Sequence, residues 1–414
     1  MTQFGITSVG HLQDHNLRRV LEAIMSGDGM TRQDLVETTG FSPAGISKLV
    51  GILIDKELVQ EHNLVSRRRG RRAISLRINE NCMYSLGVRF ARNYVKVGIF
   101  NVMGRLLSSN YRSIEEQDLE TTIETITDQI DDQMQAMDDE MRAKLMGIGI
   151  SAPGPLFGTD GRIALISNAP GWRNVALAEC IQERFGKPTF MEHDANVSAL
   201  AEYWYGQGRN VRRLVYVVAD RGVGAGFMLD GAIYGGMNNI AGEIGHTTIQ
   251  FNGPKCDCGN YGCLEMYCSS LAFLRKAKWI AKEERPAGWP GPHRLTTDQV
   301  FELAVDGEPV AKHLVEESGR FLGIGVVNLI NAFNPDMIVL GDEMARAGEL
   351  LLQSVHSVVR ERVIPEIAEE TRIVLSQIIP EPAFAGTGSL VVKRVFESLS
   401  QVEDGPLVVS RTQV

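Results

Sequence analysis

The sequence contains no apolar run approaching the ~18 residues of a membrane-spanning helix, and its opening MTQFGITSVGHLQDHNL lacks a secretory signal's basic start and apolar centre. Both absences point to a cytoplasmic protein. Positive charge is also short: 42 lysines and arginines against 51 acids leave a formal net charge of −9, which excludes a chain that holds nucleic acid by bulk charge. The deficit is uneven. Residues 1–80 carry 11 basic and 9 acidic side chains, and five of the basic ones crowd between Arg67 and Arg72. A small cationic arm on an acidic, soluble body fits that distribution. Cysteines number only six, and Cys256, Cys258, Cys263 and Cys268 fall within 13 positions while Cys82 and Cys180 stand alone. In a reducing compartment that clustering favours a metal over disulfides. At 414 residues the chain is too long for one ordinary core, so two or three domains are expected.

What is present begins with helical periodicity. Leu12, Leu17, Val20, Leu21 and Ile24 predict an amphipathic helix ended by Gly27 and Gly29. Thr31 with Asp34 predicts a capped second helix whose Leu35 and Val36 face inward, and Gly40 supplies the turn that ends it. Ser42 and Pro43 then open a third helix with Ile46, Leu49, Val50, Leu53 and Ile54 on its apolar side. Helix, glycine turn and capped helix form a helix-turn-helix pattern. The other positions of the third helix, Ser42, Ala44, Gly45, Ser47 and Lys48, are small or basic, which suits entry into a major groove. Ser42, Pro43, Ala44, Ser47 and Lys48 are therefore candidate DNA contacts, with a three-helix protein-binding module as the competing reading. NLVSRRRGRRAISL, at 63–76, then reads as an arginine-loaded turn returning into a strand through Ile74, Leu76 and Ile78. That is a wing, and Arg68, Arg69, Arg71 and Arg72 would reach a narrow, AT-rich minor groove; an arginine run that only solvates a linker is the alternative.

From Tyr84 the pattern turns to strands. YSLGVRF and YVKVGIF flank a turn, and LMGIGIS, RLVYVVA and MIVLG each precede a loop rich in Gly, Pro or Asp, with helical stretches at 118–140, 194–205 and 310–334 between them. The alternation predicts an α/β architecture in two lobes. The expected division is a winged helix-turn-helix domain over 1–80, a first lobe over 81–190, a second lobe with a metal knuckle over 191–398, and a flexible tail over 399–414.

Six ordered motifs, SAPGP at 151–155, SNAPGW at 167–172, HDAN at 193–196, GEIGH at 242–246, CDCGNYGCLE at 256–265 and NAFNPDMIVLG at 331–341, resemble those of the ROK family of repressors and sugar kinases. With the DNA module and RGRRAISL in front, the chain is most similar to the family's N-acetylglucosamine and glucose-regulated repressor group. The resemblance implies a bilobal actin-like fold, a sugar or sugar-phosphate effector, and repression of carbohydrate genes. His246, Cys256, Cys258 and Cys263 offer one imidazole and three thiolates, a set suited to tetrahedral zinc with no position left open for water, hence a structural ion. Cys268 reads as a bystander on the following helix. By resemblance Asp194, Glu243 and Glu265 accept bonds from sugar hydroxyls, with Asn168, His193 and His246 as further polar contacts. His193 departs from the Asn usual in the family's kinases.

Kinase chemistry is expected to be absent. The kinases' first phosphate loop reads Gly-x-Asp-x-Gly-Gly-Thr, whereas this chain has Gly87-Val88-Arg89-Phe90-Ala91-Arg92-Asn93; their second begins Gly-Thr-Gly, where Asp220-Arg221-Gly222 stands. An arginine in place of the acid, and an aspartate facing phosphate, both oppose nucleotide binding. The implied partners are a palindromic double-stranded operator with AT-rich flanks, read by a homodimer or homotetramer, and the sugar effector. Capture by a membrane sugar transporter's cytosolic domain is the alternative mode of release.

Overall fold

The computed structural model describes residues 9–397 and 399, apart from 28, 64–73, 115–117, 155, 158–161, 166–170, 210 and 380. Three helices open it: α1 (Val9–Ser26), α2 (Arg32–Thr39) and α3 (Pro43–Asp55). Thr31 and Asp34 cap α2 reciprocally, and Gly40 ends it at φ 72°, a left-handed turn that glycine adopts freely. The apolar stripes meet in a small core of Leu17, Val20, Leu21, Ile24, Leu35, Ile46, Val50 and Leu53. Leu49 and Ile54, expected on that apolar side, are only half-buried. After them β1 (Val59–Asn63) pairs antiparallel with β2 (Ile74–Ile78), and Met30 bridges to Leu76. The connecting turn with Arg68, Arg69, Arg71 and Arg72 lies outside the described residues.

The chain parts into two compact units, one formed by the segments up to His193 and from Ala383 on, the other by Asp194–Pro382. The first unit contains β3 (Tyr84–Phe90), β4 (Tyr94–Asn101), β5 (Leu106–Ser113), α4 (Leu119–Ala136), β6 (Leu145–Ala152), a small sheet of β7 (Leu156–Phe157), β8 (Arg162–Leu165) and β9 (Arg173–Val175), and β10 (Thr189–His193). Its main sheet runs β10-β6-β3-β4-β5. β3, β4 and β5 form an antiparallel meander, and β6 and β10 add in parallel to β3.

The second unit repeats the plan with β11 (Arg213–Ala219), β12 (Val223–Leu229), β13 (Ala232–Ile233), β14 (Met337–Gly341) and β15 (Arg372–Leu375), ordered β13-β12-β11-β14-β15. Leu214–Val217 and Met337–Leu340 are uninterrupted apolar runs, as central strands covered on both faces require. Helices Pro309–Phe333 and Glu349–Arg362 supply Leu314, Leu322, Val326 and Val355 to that core.

The expected second lobe of 191–398 needs correction, because its last helix, Pro382–Glu397, belongs to the first unit. The cause is a groove between β3 and β6. A side chain at Gly87 or Gly149 would collide with Thr387, and Phe384 meets Phe100 edge-on at 5.0 Å. The tail at 400–414 lies outside the described residues. Among the described residues no helix is long and apolar enough to cross a membrane.

Candidate functional site

Strand β12 organises the second unit's polar residues. A Cβ on Gly242 would fall on the Ala225 carbonyl, and one on Gly245 on the Val223 carbonyl. The Ala225 N–H donates to the Gly242 carbonyl at 2.8 Å. These close approaches seat the short turn Ile244–His246 against the strand, presenting an exposed Glu243 and a half-buried His246. The His246 Nε2 lies 3.9 Å from Glu243 Oε2, while Nδ1 faces the other way, 3.7 Å from Cys256 Sγ.

A ring nitrogen of His246 and the sulfurs of Cys256, Cys258 and Cys263 all lie within 4.8 Å of one another. Cys258 Sγ is 3.7 Å from Cys263 Sγ. A tetrahedral zinc with ~2.3 Å bonds to sulfur needs sulfurs about 3.8 Å apart, so the donor set fits that ion in kind and in size. The loop is tied before any ion arrives. Asn260 Nδ2 donates to the His246 carbonyl at 3.1 Å and to Thr248 Oγ1 at 2.9 Å, and the Cys256 N–H donates to the Asn260 carbonyl at 2.8 Å. Gly259 and Gly262 take φ of 96° and 65°, and a Cβ at Gly262 would strike the Gln250 carbonyl. Burial pushes the Cys263 thiol up to about 12, with the neighbouring Cys258 and Cys256 adding to it, and burial raises Cys256 as well. Cys258 moves down because the Asn260 backbone N–H donates to it. Asn260 escaped the sequence reading; its position between two glycines of CGNYGC was the available signal.

Glu265 follows two residues after Cys263 and opens the helix Glu265–Cys268. Its Oε2 accepts the Val223 N–H at 3.2 Å, over Gly222, where a Cβ would lie 2.7 Å from the same oxygen. Asp194 opens the helix Asp194–Tyr205, which lies on β12 because Gly226 leaves room for the Ala195 backbone. Asp194, Glu243, His246 and Glu265 are thus all carried by elements seated on one strand. His193 ends β10 in the first unit, where a side chain at Gly154 would collide with its ring. Asn168 lies outside the described residues. Cys268 is buried and hydrogen-bonds to the Leu264 carbonyl at 3.5 Å, apart from the four-ligand cluster.

The two stretches that depart from the kinase pattern differ in burial: Arg89 and Phe90 at the end of β3 are buried, whereas Asp220 is half-buried and Arg221 exposed. Arg89 is 6% exposed and donates to Ser151 Oγ at 3.3 Å, while Phe90 stacks on the buried Trp172 at 4.8 Å. In the second, Asp220 closes a turn with Gly222 at 3.0 Å, and its carbonyl accepts the Ser270 N–H at 2.8 Å.

On α3, Ser42, Pro43, Ala44, Ser47 and Lys48 are exposed, and Gly45 is half-buried. Two of their polar groups are already used locally: Ser42 Oγ accepts the Gly45 N–H at 3.1 Å as the helix cap, and Ser47 Oγ donates to the Pro43 carbonyl at 2.9 Å.

Residues 85–394 match the profile of the ROK family. The chain is 29% identical over 385 residues to the xylose repressor of Caldicellulosiruptor bescii, covering 92% of this chain and 96% of that protein. It is 27% identical over 381 residues to the N-acetylglucosamine repressor of Escherichia coli O6:H1, covering 91% and 93%. Among solved structures, a ROK family transcriptional regulator described as a homologue of the E. coli MLC protein superposes with a TM-score of 0.78 at 28% identity, covering 94% of this chain and 98% of the other. The duplicated sheet plan, the glycine-seated GEIGH turn and these matches converge: this chain belongs to the ROK family.

Proposed function

We infer that this protein is a sugar-responsive, DNA-binding transcriptional repressor of carbohydrate genes that performs no phosphoryl transfer. One observation carries the reading: α3 presents small and basic exposed side chains ahead of a ROK body in which a buried Arg89 stands where the kinase pattern has an aspartate. Relatives named as a xylose repressor and an N-acetylglucosamine repressor, matched over nine-tenths of the chain, support it. In this reading α1–α3 with β1 and β2 form a winged helix-turn-helix. Ser42, Pro43, Ala44, Ser47 and Lys48 face the major groove and Arg68, Arg69, Arg71 and Arg72 the minor groove. His246, Cys256, Cys258 and Cys263 hold a structural zinc, and the ion would fix the ring whose other nitrogen faces Glu243. Asp194, Glu243 and Glu265, with Asn168, His193 and His246, bind the hydroxyls of a sugar or sugar phosphate. A dimer or tetramer sets two heads on a palindromic site, and the sugar favours the state that binds DNA less well.

Fluorescence anisotropy of the zinc-loaded protein on DNA from upstream of its own gene, across a salt series, tests the reading. Salt-sensitive, specific binding is expected, together with no sugar-dependent ATP hydrolysis. No binding there or at neighbouring sugar-gene promoters, or ATP turnover abolished by Asp194→Asn, would overturn it.

A further inference from the structure

One ion pair in the N-terminal module has little to do with folding. Arg32 is the first residue of α2 and Glu61 the middle residue of β1, and Arg32 Nη2 lies 2.8 Å from Glu61 Oε1. Strand pairing brings them together: Glu61 is opposite Leu76 of β2, and Met30, two residues before Arg32, bridges to the same Leu76. The cap of α2 does not use the Arg32 side chain. Thr31 and Asp34 supply it, the Asp34 N–H donating to Thr31 Oγ1 at 3.2 Å and the Thr31 N–H to Asp34 Oδ2 at 2.8 Å. The paired side chains are 36% and 41% exposed, so solvent screens their attraction and the pair adds little to stability. Glu61 is also the acid nearest in sequence to the arginines of 67–72, and Arg32 opens the helix that precedes α3 with its small and basic exposed side chains. A carboxylate in that position works against a polyanion, whereas the guanidinium held on it is a cation already in place.

We propose that Arg32 is a further phosphate-binding residue, parked on Glu61 in the free protein and transferred to a backbone phosphate when the head meets DNA. The assignment rests on the repressor reading. In a docked helix-turn-helix the helix before the reader crosses the phosphate backbone, which brings the first turn of α2 to phosphate. Duplex DNA presents one negative charge per ~1.7 Å of axis, and a guanidinium can give a phosphate two parallel N–H bonds as it does a carboxylate. The exchange replaces a screened pair with a charge-assisted contact and releases a counterion from the duplex. Glu61 opposes it twice, by competing for Arg32 and by repelling the phosphate. Removing the two partners therefore has opposite consequences for DNA, whereas a pair that only pins α2 to β1 would make both removals harmful.

The test uses the full-length, zinc-loaded protein with Arg32→Ala, Arg32→Lys, Glu61→Gln and, as a charge-matched control at an exposed acid of α2, Glu37→Gln. Affinity is read by fluorescence anisotropy on DNA from upstream of the protein's own gene and on an unrelated duplex of equal length, across a salt series. Arg32→Ala is expected to weaken binding to both duplexes at least about fivefold and to lower the salt slope by about one, while Arg32→Lys keeps the wild-type slope. Glu61→Gln is expected to tighten binding at least about threefold, and Glu37→Gln to change it less than about twofold. An unchanged slope in Arg32→Ala, weaker binding by Glu61→Gln, or equal tightening by the Glu37→Gln control would overturn the phosphate assignment, with wild-type binding leaving the repressor reading in place. Wild-type protein that binds neither duplex would overturn the repressor reading itself and the assignment with it.

Discussion

Cys263 is fully buried beside two other sulfurs, and its thiol is pushed up to about 12 by burial first and by those neighbours next. Three thiolates so close are stable only if they share a cation. Cys263→Ser is expected to drop bound zinc from about one per chain to near zero by elemental analysis, whereas Cys268→Ser should retain it. Full zinc content in Cys263→Ser would contradict the ligand set. On α3 the exposed positions divide by role. Ser42→Ala removes a cap and should cost about 1 kcal/mol of stability whatever happens to DNA. Lys48→Ala removes no internal bond among those found for α3, so it should weaken DNA binding across sequences and reduce the salt slope by about one. An unchanged slope would place Lys48 away from phosphate.

At the scale of elements, the long periodic segments were legible and the short, polar or glycine-dependent ones were not. The runs at Tyr84, Tyr94, Leu145, Arg213 and Met337 are strands, and 118–140, 194–205 and 310–334 are helical for most of their length, because an apolar face must be buried whatever the neighbours. β5 was missed because its exposed, polar LLSSNYRS is an edge strand without an apolar signature. The partner of Pro382–Glu397 was missed because the groove that receives it is formed by two glycines far apart in sequence but paired across β3 and β6, Gly87 and Gly149, which carry no periodicity. The site divides similarly: the spacing in CDCGNYGC announced the cluster of three thiols with His246, but nothing in the sequence announced that Gly242 and Gly245 seat the Ile244–His246 turn on β12. Gly245→Ala puts a Cβ on the Val223 carbonyl, so it is expected to cut zinc retention against a chelator at least about tenfold; wild-type retention would show that the turn floats free of the strand.

Strand pairing also predicts a pH response. Arg213 Nη2 lies 2.6 Å from Asp336 Oδ1 at the entrance to β11 and β14, and this guanidinium holds the Asp336 carboxyl below its usual range. A lowered carboxylate contributes stability that is present above its unfolded value, about 3.9, and is lost as pH falls through the lower folded value. The thermal-midpoint difference between wild type and Asp336→Asn should therefore be full at pH 6 and shrink below about pH 4, modestly since both groups are part-exposed. A difference that grows toward acid would contradict the assignment.

At the scale of the molecule, a small N-terminal helical module precedes a body with the ROK sheet plan, to which we assign DNA binding and sugar binding respectively. Family kinases and repressors share the fold, so the fold alone decides nothing. The decision comes from Arg89 and Asp220, which stand where the kinase pattern has an aspartate and a glycine, from the repressor relatives matched over nine-tenths of the chain, and from the exposed face of α3. Sugar bound at Asp194, Glu243 and Glu265 is expected to lower the head's affinity for DNA. The most direct test titrates the protein–DNA complex with D-xylose, N-acetylglucosamine, glucose and their phosphates, for wild type and Asp194→Asn in parallel. One of these should weaken wild-type DNA binding at least about tenfold and leave Asp194→Asn bound. Equal release from both proteins, or tight binding of wild-type protein to DNA in the face of every sugar, would contradict it.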